Sequence, residues 1–107
     1  MLEKNIEKLA ASNARKAGWI TWKFSSPAHR GVPDRIFLNE GVVVFIEFKT
    51  ATGKVSALQE RELKTINEHG GIAYVCRSAE DCAVVLANEL QFKRSNRFTQ
   101  SHLFKAV

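Results

Sequence analysis

The stretch Gly31-Val32-Pro33-Asp34-Arg35-Ile36-Phe37-Leu38-Asn39-Glu40-Gly41-Val42-Val43-Val44-Phe45-Ile46-Glu47-Phe48-Lys49 decides how this chain is read. Two runs of apolar, β-branched and aromatic residues, 34–38 and 42–49, flank Asn39-Glu40-Gly41, which reads as a β-hairpin. Residues two apart on a strand share a face. Val43, Phe45, Glu47 and Lys49 therefore point one way, and Val42, Val44, Ile46 and Phe48 the other. Both faces are largely apolar, as in a central strand. An acid and a base on such a strand are costly unless they are paired or bound to something.

The turn sets the register. If Glu40-Gly41 is a two-residue turn, Asn39 faces Val42 and Asp34 faces Glu47, with Cβ atoms about 4.5–5.5 Å apart. A three-residue turn would spoil that alignment. Two carboxylates so close repel unless a proton or a cation lies between them, and a hard divalent ion such as Mg²⁺ takes carboxylate and water oxygens in that arrangement.

Outward from the hairpin, Leu2, Ile6, Leu9, Ala10, Asn13, Ala14 and Ala17 recur at helical spacing, and Gly18 stops the pattern. Residues 19–24 read as a strand, and the breaker-rich stretch 25–33 as a loop. After a second loop at 50–55, Ser56 opens a helix with Leu58, Leu63 and Ile66 inward, stopped by Gly70-Gly71. The continuous apolar run 72–76 suits a strand buried on both faces. Ser78 caps a last helix, with Glu80 and Asp81 at its positive end and Cys82, Val85, Leu86 and Leu90 inward. The expected fold is α/β, a mixed β-sheet flanked by helices in the order αβββαβα, followed by a C-terminal tail.

Composition agrees with one small globular domain: 107 residues, 45% hydrophobic and 25% charged. No apolar run approaches the ~20 residues of a membrane span, and the start lacks an apolar signal core, so neither membrane nor secretion is expected. Cys76 and Cys82, with no second pair and no nearby His, suit buried thiols better than a zinc site. The net charge of +5 suits a polyanionic partner. Four of those charges fall in the tail, on Lys93, Arg94, Arg97 and Lys105, where Phe92, Phe98, Leu103 and Phe104 lack helical regularity.

Two carboxylates, a metal and an adjacent lysine can hydrolyse a phosphodiester. The plainer alternative is a salt bridge, with Lys49 neutralising Glu47 and Asp34 capping a turn. Pro33-Asp34 placed before Glu-x-Lys across an apolar hairpin favours the site. These residues, with Gly53-Lys54-Val55-Ser56-Ala57-Leu58-Gln59, resemble the VRR-NUC family of the PD-(D/E)xK (restriction-endonuclease-like) nuclease superfamily over residues 1–90, leaving 91–107 as a basic C-terminal extension. The resemblance implies a Mg²⁺- or Mn²⁺-dependent DNA endonuclease with catalytic residues Asp34, Glu47, Lys49 and Gln59, leaving a 5′-phosphate and needing no small-molecule cofactor. It also implies a homodimer acting on branched DNA such as Holliday junctions, in the cytoplasm of a bacterial or phage-infected cell. The competing readings are a DNA-binding module without turnover and a nuclease subunit that depends on a helicase or other partner.

Gln59 also completes a helix capping box with Ser56, and the two roles compete for one side chain. Related resolvases complete the metal site with a Glu on the first helix, and Glu3 fits that role better than Glu7. Lys23, His29, Arg30 and Lys54 flank the site as candidate phosphate contacts, with Lys93, Arg94 and Arg97 added from the tail. Arg35 points away from Asp34 and reads as structural. Trp19 and Trp22, on opposite strand faces, read as core.

Overall fold

The computed structural model describes residues 1–96. Its elements are α1 (Glu3–Lys16), β1 (Ile20–Lys23), β2 (Arg35–Asn39), β3 (Val42–Phe48), α2 (Ala57–Glu68), β4 (Ala73–Cys76) and α3 (Ala79–Ser95). The order is the expected one. The four strands form one mixed sheet, β1-β2-β3-β4, antiparallel except for the parallel β3–β4 pair.

The hairpin turn is tight. Glu40 and Gly41 both have positive φ, 48° and 80°, as a type I′ turn requires to match the twist of its strands. Asn39 consequently pairs with Val42 and Arg35 with Ile46, which brings Asp34 opposite Glu47.

One sheet face carries the core. Phe37, Val44, Ile46 and Phe48 are fully buried there, each contributing about 1.5–3 kcal/mol of apolar burial. They pack beneath α1, which buries Ile6, Ala10 and Ala14, and α3, which buries Cys82 and Leu86. Trp19 joins them at 5% exposure. Both cysteines are free and buried. The hydrogen bond to Cys82, followed by burial, pushes the Cys76 thiol well above its ordinary value, so it packs as an unreactive apolar group.

Three expectations are corrected. Residues 73–76 form an edge strand covered only in part. Tyr74 is exposed because β4 pairs with β3 alone, and its hydroxyl donates to Glu89 of α3. Trp22 is 59% exposed rather than core, because the helix on its side of the sheet, α2, packs against β4 and leaves β1 and β2 bare. Phe92 lies within α3, which runs on to Ser95. It is exposed, so apolar spacing gave no sign of this last helical stretch.

Candidate active site

The site lies where the start of β2 and the end of β3 meet the starts of α1 and α2. Asp34 precedes β2, and its Oδ2 accepts the Phe48 amide at 2.8 Å. Glu47, near the end of β3, is 2% exposed. It is enclosed because β3 is paired on both sides, to β2 and to β4. One carboxylate oxygen from each of Glu3, Asp34 and Glu47 lies within 4.8 Å of the other two.

Burial is the main cause that raises the Asp34 carboxyl above its ordinary value, opposed by the Phe48 amide and reinforced by Glu7 and Glu3. Glu47 is pushed up to about 7, first by burial and then by Asp34, with Lys49 acting against both. Its two oxygens differ. Oε2 accepts Gln59 Nε2 at 3.0 Å and lies 3.6 Å from Lys49 Nζ. Oε1 is buried with no hydrogen-bond partner among the described residues. An orphaned buried oxygen beside two further carboxylates is a donor set that fits a hard divalent cation.

At Gln59 the capping box and a contact with Glu47 coexist. Its Oε1 accepts the Ser56 amide and its backbone N–H donates to Ser56 Oγ, completing the capping box, while Nε2 is left for Glu47. The two first-helix acids separate cleanly. Glu3 joins the carboxylate cluster, whereas Glu7 accepts Arg35 Nε at 2.7 Å and sits 3.5 Å from Lys23 Nζ. Arg35 is 7% exposed and faces Glu7.

The basic residues are dispersed. Lys23, Arg30 and Lys54 are exposed. His29 is exposed but paired with Glu62 of α2. Arg94 is held by both oxygens of Glu40, at 2.6 and 3.1 Å. Lys93 is half-buried close to Gly41, and Arg97 lies outside the described residues. Sequence reasoning missed Arg77, whose Nη1 donates to Thr50 O at 2.8 Å and Gly53 O at 2.7 Å. It braces the loop after Lys49, and its position just beyond a strand gave no sign of this.

A mixed sheet with two carboxylates and a lysine at the open end of its central hairpin is an arrangement that can support metal-assisted phosphodiester chemistry. The chain belongs to the VRR-NUC domain family, whose profile matches residues 4–80. A protein of Acyrthosiphon pisum secondary endosymbiont phage 1, named "Putative nuclease p44", is 46% identical over 61 residues. That match covers 56% of this chain and 66% of the relative, just under two thirds of its length. A solved structure titled "VRR_NUC domain" aligns with TM-score 0.73 and 25% identity, covering 79% of this chain and 94% of its own. A second, titled "VRR_NUC domain protein", aligns with the same TM-score at 14% identity over 85% and 89%, and bears on the fold alone. Among the described residues, Glu3, Asp34 and Glu47 form a group that could hold a metal ion. No helix among the described residues is long and apolar enough to cross a membrane.

Proposed function

We propose that this chain is a Mg²⁺- or Mn²⁺-dependent DNA endonuclease in which Asp34, Glu47 and Glu3 hold the ion. The observation that carries the reading is the gathering of these three carboxylates within 4.8 Å, with a buried, unpartnered Glu47 oxygen among them. A bound divalent cation supplies positive charge that eases ionisation of the attacking water and offsets charge on the phosphoryl group. Lys49, 3.6 Å from Glu47, orients that water or takes up developing charge on the phosphoryl oxygens. Gln59 fixes the Glu47 carboxylate from α2. Lys23, His29, Arg30, Lys54, Lys93 and Arg94 offer phosphate contacts, and the products carry a 5′-phosphate.

The reading extends to branched DNA and a homodimer. In its support, Ile20, Trp22 and Val43 expose apolar side chains on one sheet face, a kind of patch that marks contact surfaces. The phage relative supports a setting inside bacterial or phage-infected cells.

The test incubates the purified chain with plasmid, linear duplex and a synthetic four-way junction, with Mg²⁺, Mn²⁺ or EDTA. Metal-dependent cleavage that Glu47→Ala and Lys49→Ala each abolish is expected. No cleavage of any DNA would leave a binding module or a partner-dependent subunit. Equal cutting of junction and linear duplex would remove the structure selectivity, and a monomer in light scattering would remove the dimer.

A further inference from the structure

We infer that Glu7 and Arg35 act as a positioning pair that sets Glu3 and Asp34 at the spacing a cation needs. The inference rests on the metal reading above. Glu7 lies one helical turn after Glu3 on α1, and Arg35 directly follows Asp34. The contact of Glu7 Oε2 with Arg35 Nε, 2.7 Å long, therefore ties the two ligand-bearing elements together beside both ligands.

The start of α1 leaves room for such a tie to matter. α1 has Leu2 as its N-cap, with no side-chain cap hydrogen bond, and Met1 and Leu2 are exposed. The turn that carries Glu3 thus has no side-chain cap, and its one buried side chain is Ile6, at the far end of the turn from Glu3. Without a cation the three clustered carboxylates repel, which pushes that turn outward. Strand alternation then separates the charges. Arg35 turns to the α1 side of β2, where its cross-strand neighbour Lys23 also reaches Glu7. Its guanidinium is engaged through Nε by Glu7, on the side away from Asp34. A buried guanidinium requires an acid partner, and the first turn beyond Glu3 supplies one.

The test measures Mn²⁺ binding to the full chain, without DNA, from the loss of the free-ion EPR signal. Glu3→Ala and Glu7→Ala are each expected to weaken binding about tenfold or more, the usual cost of losing a ligand or its support. The double variant is expected to bind no more weakly than Glu3→Ala alone, because Glu7 acts through Glu3. Effects that multiply, or Glu7→Ala binding as tightly as the wild type, would overturn the inference. Should Glu7→Ala fail to fold, Glu7→Asp keeps the charge and retracts it by one methylene. It is expected to lose Mn²⁺ affinity several-fold while melting near the wild-type temperature, and wild-type affinity in this variant would overturn the inference. A wild-type chain that binds no Mn²⁺ would remove the metal reading itself, whereas wild-type binding that these changes leave intact would remove only the role of the pair.

Discussion

Gln59 joins the start of α2 to the buried acid of β3: its Nε2 donates to Glu47 Oε2 at 3.0 Å while its Oε1 accepts the Ser56 amide, also at 3.0 Å. One amide group therefore fixes a helix end and a carboxylate together, and two substitutions can separate these effects.

Ser56→Ala removes the acceptor of the Gln59 amide and leaves the Glu47 contact in place. It is expected to cost about 1 kcal/mol, as lost caps do, with cleavage nearly unchanged. Gln59→Ala loses the reciprocal cap bond and frees Glu47, so cleavage is expected to fall about 10–100-fold, as when a ligand's support is removed. Urea unfolding and single-turnover cleavage of both variants check the split. Equal cleavage loss in the two would mean that only the cap matters.

Why Gln59 could be found in the sequence, while its resolution could not, follows from where the information lies. Ser-x-x-Gln is a local signal, and so is Glu40-Gly41, whose two positive φ values fix the hairpin register and with it the facing of Asp34 and Glu47. Alternation told which residues of β1 share a face, but not that α2 would cover β4 and leave Trp22 bare, because helix placement is a tertiary outcome. Glu3 and Glu7 sit on nearly the same side of one helix, and only the approach of Arg35 distinguishes them. Contacts such as Arg77 with Thr50 or Arg94 with Glu40 span 27 and 54 positions and leave no local pattern.

The raised Glu47 gives a pH dependence of defined sign. Its carboxyl titrates near 7 in the metal-free fold, against an ordinary value of 4.5, so the fold favours the protonated form. The stabilisation is complete below about pH 4.5 and is lost as pH rises through 7, a change of about 3 kcal/mol at most. Burial raises Asp34 as well, which acts in the same direction. Metal-free protein in EDTA should therefore lose stability between pH 5 and pH 8, and Glu47→Gln should flatten that loss. Divalent cation should restore stability at pH 8, where the carboxylates are ionised. Urea unfolding at the two pH values, with and without Mg²⁺, measures each effect. An identical pH slope in Glu47→Gln would show that Glu47 does not titrate in this range.

Gly31 shows how the loop before Asp34 is held. Its φ is +90°, and a Cβ there would sit 2.7 Å from Leu58 Cγ and 3.2 Å from the Leu58 backbone. Gly31→Ala is thus expected to strain the backbone and to push the loop off α2, at a cost of about 1–3 kcal/mol. The same displacement reaches Asp34 three residues on, so cleavage should fall more than stability alone explains. Thermal melting and cleavage measured well below the melting temperature separate the two. Unchanged cleavage at that temperature would show that Asp34 is held by the Phe48 amide without help from the loop.

Arg77 braces the other side of the site. Nη1 bonds to Thr50 O and Gly53 O hold the loop that follows Lys49 and carries Lys54, and the Lys49 amide donates to Cys76 O at 3.1 Å just before Arg77. Replacing Arg77 with Met keeps most of the side-chain bulk and removes both charge-assisted bonds. The expected cost is about 1.5–3 kcal/mol, the range for hydrogen bonds to a charged group. Because the loop adjoins Lys49, loss of the brace should also reduce cleavage. The reduction should exceed that of an exposed change such as Lys64→Met on α2. Hydrogen exchange of the amides in 50–55 locates the effect. Faster exchange there, with α1 and β2 unaltered, is the expected pattern, and unaltered exchange in 50–55 would show that the loop is held by other contacts.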